Sequence, residues 1–407
     1  MTKTRVDLLW ILTIFAIGQI VTGLLFSLPF RPIQAPDSGY YLRAADNFPS
    51  SIDSSYIGYV GFVGLLRVGL ALGSGPVFSV VTNSVGVILA ALALLSLGRR
   101  YSSEIAGWSA ATFYLLHPLI NQWTRYVLTE TLFFSGVVLT AYCLARAVDI
   151  ERWSWGPLWL VAGLTFSIRP NGIVLLGAVI TVLALSQRAR LPRRLTIVAA
   201  TWATILLLAV VSPSLSAVHG DFGSEMWKGT VVHGVPETSI AMPEPTGLDS
   251  SNAALIGYAL NHPVDVLRLG TTRVWWELKQ VRPWYSNELN FFLTVSMTAL
   301  HSLALVGAWS MRRSQLNLIV ISISVPFGAV IASTWAIWEG RFGWWFLVLW
   351  TVWAGIGVNR LLHPILDRLP TRHPLRRLAN RHEDKADLVN VVSDSNVSMA
   401  EQNSPRE

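Results

Sequence analysis

The chain is punctuated by continuous apolar runs that reach or approach the ~20 residues a helix needs to cross ~30 Å of hydrocarbon, beginning with Leu8 to Leu28. Lipid offers the backbone no hydrogen-bond partners, so such runs close their N–H and C=O groups within helices. Hydrophobic residues fill 52% of the 407 positions and charged residues 14%. The fold class that follows is an all-α polytopic membrane protein. Lys3 and Arg5 ahead of the first run resemble a signal peptide. The run is longer than a typical h-region, however, and no clear small-residue cleavage site follows, so it reads as a retained first span. Cys143, the only cysteine, lies inside an apolar run, which leaves no disulfide framework and no Cys-based metal site.

Apolar runs read against basic loops predict ten spans, at about 8–28, 77–97, 105–120, 127–147, 153–168, 170–187, 195–212, 290–309, 316–334 and 343–361. With the N-terminus in the cytosol, Arg99/Arg100, Arg146/Arg152, Arg188/Arg190/Arg193/Arg194, Arg312/Arg313 and the Arg-rich stretch after Arg360 all fall inside. The net charge of +7 is therefore a topology signal. It does not indicate nucleic-acid binding, because the basic residues are spread between spans rather than gathered on one soluble face. Residues 1–361 form the transmembrane domain, with outer loops at about 29–76 and 213–289. Residues 362–407 form a cytosolic tail whose polar composition predicts disorder toward its end, so the sequon Asn396-Val397-Ser398 is on the wrong side for use.

Tyr56 to Leu72 is apolar too, but a crossing there would turn every later basic loop outward. It is expected to lie at the interface as an amphipathic or re-entrant helix, with Arg67 reaching toward headgroups and Gly58, Gly61 and Gly64 allowing close helix packing. In the second outer loop, Leu248 to Asn252 reads as a helix start and Asn261-His262-Pro263 as an interruption. Arg268, Arg273, Trp275, Trp276, Lys279, Arg282, Trp284 and Tyr285 then form a basic and aromatic mixture suited to the headgroup level.

Chemistry-bearing residues fall on the outer side. Asp37 stands in Pro36-Asp37-Ser38-Gly39-Tyr40-Tyr41, just past the first span. A carboxylate buried there against apolar residues is a better general base than one in water; the alternative is an N-cap for a short helix. Glu130 sits in the first turn of the fourth span, where it either offsets the helix dipole or faces an outer cavity or partner. Arg169, in Ile168-Arg169-Pro170-Asn171-Gly172, ends the fifth span, where a cation suits the helix terminus and a planar fork suits a phosphate. Glu339-Gly340-Arg341-Phe342 offers a second outer arginine beside a carboxylate, and Arg125 a third. Asp46 and Asp53 are the other carboxylates of the first loop. No Asp-x-Asp or His-x-x-x-His appears in the outer loops, and His117, His219, His233 and His262 are scattered, so no metal site is indicated. Neither a Walker loop, nor a dinucleotide fingerprint, nor a Gly-x-Ser-x-Gly elbow is present, and no cofactor is expected.

The order of these motifs resembles the GT-C superfamily of polyprenyl-phosphate-sugar glycosyltransferases, in particular its protein mannosyltransferase and aminoarabinose transferase type. The resemblance rests on Pro36 to Tyr41, the Tyr59 to Leu70 run, Leu128 to Leu132, Ile168 to Gly172 and, later, Glu339 to Phe342. Ser38 stands where such enzymes often carry a second acidic residue. The resemblance implies an inverting transfer from a polyprenyl-phosphate sugar to a hydroxyl on a glycan, lipid or protein, at the outer face of a prokaryotic plasma membrane. It implies Asp37 as the base and Tyr40, Tyr41, Arg125, Glu130, Arg169, Glu339 and Arg341 as substrate contacts.

The alternative class is a polytopic transporter or flippase for a lipid-linked or anionic substrate, against which stands the lack of an inverted repeat or of paired interrupted helices. The topology is tested by single-cysteine labelling in a Cys143→Ser background. Positions near Asp37, Gly234 and Gly340 should react with an impermeant maleimide from outside, and positions near Arg100, Arg190 and Arg313 should not.

Overall fold

A computed structural model describes residues 3–50, 54–149, 155–186, 191–211, 222–244, 252–337 and 339–368. The expectations for the tail beyond 368, the sequon, Asp53, Arg152, Arg188, Arg190, His219 and the Leu248 to Ser251 helix start lie outside these residues.

Each apolar run appears as a helix. The first part of the chain forms α1 (Lys3–Leu25), α2 (Pro36–Asn47), a 3-10 turn (Ser54–Tyr59), α3 (Val60–Ala71), α4 (Gly75–Tyr101), α5 (Glu104–Leu116) and the short α6 (Pro118–Asn121). Then come α7 (Glu130–Val148), α8 (Trp155–Ile168), α9 (Gly172–Ser186), α10 (Leu191–Val211), α11 (Phe222–Trp227) and β1 (Val232–His233). The remainder is α12 (Asn252–Asn261), α13 (Pro263–Lys279), α14 (Asn287–Ser310), α15 (Gln315–Ser333), β2 (Ala336–Ile337) and α16 (Trp344–Leu366). Among the described residues six helices are long and apolar enough to cross a membrane: α1, α4, α7, α14, α15 and α16. The expected ten are not all of this kind, because α5, α8 and α9 hold only 13, 14 and 15 residues. At ~1.5 Å per residue each rises roughly 20 to 23 Å, short of the ~30 Å hydrocarbon thickness.

Helix α3, with 12 residues, is also too short to cross. Its glycines bring it against the α8–α9 turn: a Cβ on Gly58 would sit 3.0 Å from Pro170, and one on Gly61 2.1 Å from the Ser167 hydroxyl, whereas Gly64 has open space around it. Arg67 turns back to the end of α2, donating to Asp46 O at 3.2 Å. The predicted break in the second outer loop is the joint between α12 and α13, with His262 between them.

One apolar core runs through the bundle, from Phe62 and Leu66 of α3 through Phe133, Phe134 and Val137 of α7 to Phe327 and the Trp344–Leu349 stretch of α16. A smaller cluster, including Met226, Val231, Val232, Tyr258, Leu269 and Ala336, joins α11, β1, α12, α13 and β2. Two of its members are joined by backbone: β1 pairs in parallel with β2, Val232 opposite Ala336 and His233 opposite Ile337. Arg273 and Arg282 do not lie on the surface of the basic and aromatic mixture. Both are fully buried, and Arg273 fastens this cluster by donating to Thr230 O at 2.8 Å, Glu225 O at 3.0 Å and Ala332 O at 3.1 Å.

Between the long helices, small residues permit backbone contact. A Cβ on Gly307 of α14 would lie 1.9 Å from Trp353 O of α16, and one on Gly357 2.1 Å from Leu303 O. Gly307→Ala should therefore force α14 from α16 and destabilise the protein by about 1 to 3 kcal/mol, the usual cost of overpacking. Gly328→Ala, at a position with nothing within 4 Å, should be neutral or better, read as the thermal midpoint of both variants.

Candidate active site

Three segments far apart in sequence meet at the N-terminal end of α7. The first is the Asp37 turn. Ile33 forms a parallel bridge with Tyr126, donating to Arg125 O at 2.9 Å and accepting from Val127 N at 3.0 Å. Ser38 then locks the turn: its hydroxyl accepts from Ala35 N at 2.9 Å and donates to Val127 O at 2.9 Å. Ala35 is the N-cap of α2 and Asp37 lies within the first turn, so Asp37 is not the capping residue that the local sequence allowed. Nor is it buried as expected. Its side chain is 53% exposed.

The second segment is the start of α7. Glu130 occupies its first helical position, a favourable place for negative charge, and its side chain is only 3% exposed. The third is the Arg169 turn, where Gly172 must be small because a Cβ would meet Phe166 Cα at 2.4 Å. Arg169 Nη1 donates to Glu130 Oε1 at 2.7 Å and to Thr129 Oγ1 at 3.0 Å.

The loop between β2 and α16 closes the group. Arg341 Nη1 stands 3.1 Å from Glu130 Oε1, its Nη2 3.8 Å from Asp37 Oδ2 and its Nε 3.7 Å from Glu339 Oε2. A single guanidinium thus faces three carboxylates, and Glu130 faces two guanidinium groups. Aromatic rings wall the site: Arg169 lies over Phe342 and Trp345 at 5.4 and 5.3 Å, and Arg341 over Trp123 at 5.6 Å. Such rings stabilise a desolvated cation. The Nε atoms of both arginines are buried without a hydrogen-bond partner.

Burial pushes the Glu339 carboxyl up to about 7; Arg341 pulls it down, while Glu130 and Asp37 push it further up. Burial works against the charge on Arg169, but Glu130 overrides it and holds the guanidinium above its ordinary value. Burial likewise raises the hydroxyls of Tyr41 and Tyr59, whose rings pack 5.3 Å apart. Among the described residues, no group of three or more His, Cys, Asp or Glu side chains is arranged to hold a metal ion.

Asp37, Glu130, Arg169, Glu339 and Arg341 are therefore brought together, with Tyr41 packed behind them. Tyr40 and Arg125 do not join. Tyr40 is half-exposed under Arg43. Arg125 is drawn to the end of α1, where it donates to Gln19 Oε1 at 3.1 Å, Leu28 O at 3.0 Å and Pro29 O at 3.4 Å and covers the Phe30 ring. Its buried position comes from this backbone-tying role, which local sequence does not reveal.

Residues 65–216 match the model of the family described as dolichyl-phosphate-mannose-protein mannosyltransferase. That stretch includes the Leu128 to Leu132 and Ile168 to Gly172 motifs. No curated protein matches the chain in sequence. Among solved structures, the Archaeoglobus fulgidus oligosaccharyltransferase tethered with an acceptor peptide is similar at a TM-score of 0.48 and 14% identity, over 91% of this chain and 52% of that one. The chain thus spans about half the length of that enzyme. ArnT from Cupriavidus metallidurans is similar in the apo state (TM-score 0.37, 15% identity, 90% of this chain and 81% of that one). Its form bound to undecaprenyl phosphate is similar too (0.35, 13%, 90% and 82%).

Removing Glu130 leaves the buried Arg169 and the largely covered Arg341 without their shared partner. Breaking one side of a buried ion pair costs about 3 to 5 kcal/mol, so Glu130→Gln should lower the thermal midpoint sharply. Asp46→Asn, which breaks the exposed pair with Arg67, should leave it nearly unchanged.

Proposed function

We propose that the chain is an inverting glycosyltransferase that moves a sugar from a polyprenyl-phosphate carrier to an acceptor hydroxyl at the outer face of a membrane. The observation that carries this reading is the placement of a half-exposed carboxylate, Asp37, 3.8 Å from Arg341, which shares Glu130 with the buried Arg169, the Nε of each arginine making no hydrogen bond. The description of the matching family names a sugar on a polyprenyl-type phosphate, which supports the donor class. On this reading the shorter helices α5, α8 and α9, together with the 21-residue α10, complete a ten-crossing bundle, and the Asp37, Arg169 and Arg341 segments face outward.

The chemistry needs two functions on opposite sides of the reacting carbon. Asp37 takes the proton of the acceptor hydroxyl as its oxygen forms a bond to the anomeric carbon. The bond from that carbon to the phosphate oxygen breaks at the same time, and its electron pair leaves with the phosphate. Arg169 and Arg341 meet the charge that develops there, in a site whose aromatic walls exclude water. No covalent enzyme intermediate forms, so the configuration inverts. Glu130 holds both arginines in place. Glu339, with its raised carboxyl, is a second substrate contact that donates a hydrogen bond when protonated.

The test is release of polyprenyl phosphate by the purified protein from a panel of polyprenyl-phosphate sugars. Asp37→Asn should lose roughly 10²- to 10⁴-fold in turnover, the range for general-base assistance, with donor affinity and thermal midpoint close to wild type. Near-normal turnover in Asp37→Asn would remove Asp37 as the base.

A further inference from the structure

The turn carrying Glu339 and Arg341 is held from outside the bundle, by the C-terminal end of α13. Glu277 is fully buried there. One of its carboxylate oxygens accepts from Ile337 N at 2.7 Å and the other from Gly343 N at 2.7 Å. These two amides flank the Glu339–Arg341 turn on either side. Gln280, in a left-handed conformation (φ 57°), adds a third tie, donating from Nε2 to Gly340 O at 2.8 Å. Gly340 itself has φ 69°, and a Cβ there would meet Gln280 Oε1 at 2.2 Å. Behind the carboxylate, Arg282 Nη2 lies 4.0 Å from Glu277 Oε1 and donates to Ile337 O at 3.4 Å.

Both oxygens of Glu277 accept backbone amides, with Arg282 behind them. A carboxylate that accepts one N–H on each oxygen fixes the separation and orientation of the two peptide planes it bridges. The peptides so fixed are the two ends of a turn whose guanidinium must reach Glu130 and Asp37 at once. We propose that Glu277 is a positioning residue: by bracketing Ile337 and Gly343 it sets where Arg341 stands between Asp37 and Glu130, and so couples α13 to the phosphate site. This rests on the reading that Arg341 meets the donor phosphate. The sequence offers α13 as a membrane-surface helix, and only its C-terminal turn performs this task.

The test combines hydrogen exchange with undecaprenyl phosphate binding, on the full chain in detergent, for wild type, Glu277→Gln, Gln280→Ala, Arg341→Gln and the double variants. Glu277→Gln should raise amide exchange across 336–343 while leaving α14 and α16 protected. Binding should weaken about tenfold, the scale of one charge-assisted hydrogen bond. In an Arg341→Gln background the same change should weaken binding less than about twofold, because coupled residues are not additive. A general loss of stability would instead act equally in both backgrounds. Unchanged exchange across 336–343, or equal losses with and without Arg341, overturns the proposal. Should Glu277→Gln fail to fold, Gln280→Ala must show the same non-additivity, and its absence overturns the proposal. If wild type does not bind undecaprenyl phosphate, the donor reading fails, and the exchange result alone decides whether Glu277 brackets the turn.

Discussion

The charged cluster at the N-terminal end of α7 depends on one buried carboxylate shared by two arginines. Glu130 accepts from Arg169 at 2.7 Å and faces Arg341 at 3.1 Å. Each cation would be expensive to bury alone, and the two would repel each other without the charge between them. Their shared partner lets both be withdrawn from water, where a guanidinium acts more strongly on an anion than it does at an exposed surface. Glu130 also stands at the start of α7, where the helix dipole favours a negative charge. The same contact ties α7, the α8–α9 turn and the loop before α16 into one constellation.

A second layer surrounds it. Ser38 anchors the Asp37 turn to the strand-like segment before Glu130, and Glu277 anchors the Arg341 turn to α13. Both devices use a buried side chain to satisfy backbone groups at a loop, where no helix or sheet ladder would. The smaller apolar cluster is itself stiffened by Arg273, which gathers three carbonyls from three separate stretches, and by the β1–β2 pair. Loops that carry reactive groups are held in this way to the geometry of their scaffold.

Some errors of sequence reading share a cause. Arg125, Arg273 and Arg282 look like surface or substrate-facing cations, because arginine in a membrane protein's outer loops usually is. In the fold each is turned inward to cap carbonyls that the chain leaves open at helix ends, as Arg125 does for Leu28 and Pro29. Such a need arises from where a helix stops in three dimensions, so no local pattern announces it. Glu277 escaped notice for the same reason. Its partners lie 60 and 66 positions away in the chain, and its own neighbours are the basic and aromatic residues of an apparent interfacial helix.

Sequence alone determined the class of the protein and where its helices lie, because crossing lipid demands long unbroken apolar helices and that demand is local. It also marked out Asp37, Glu130, Arg169 and Arg341, since a charge at the edge of an apolar run is conspicuous wherever the chain folds. Which of those charges meet was decided only by the tertiary structure. Glu130 begins α7 and Arg169 follows the end of α8, 39 residues later, and Arg341 comes much later still. Their convergence depends on packing angles and on glycines such as Gly172 and Gly307 that let backbones touch. Tertiary structure also decided that Asp37 stays half-exposed while its neighbours are buried, because exposure depends on what surrounds a residue in space and not on what precedes it in the chain.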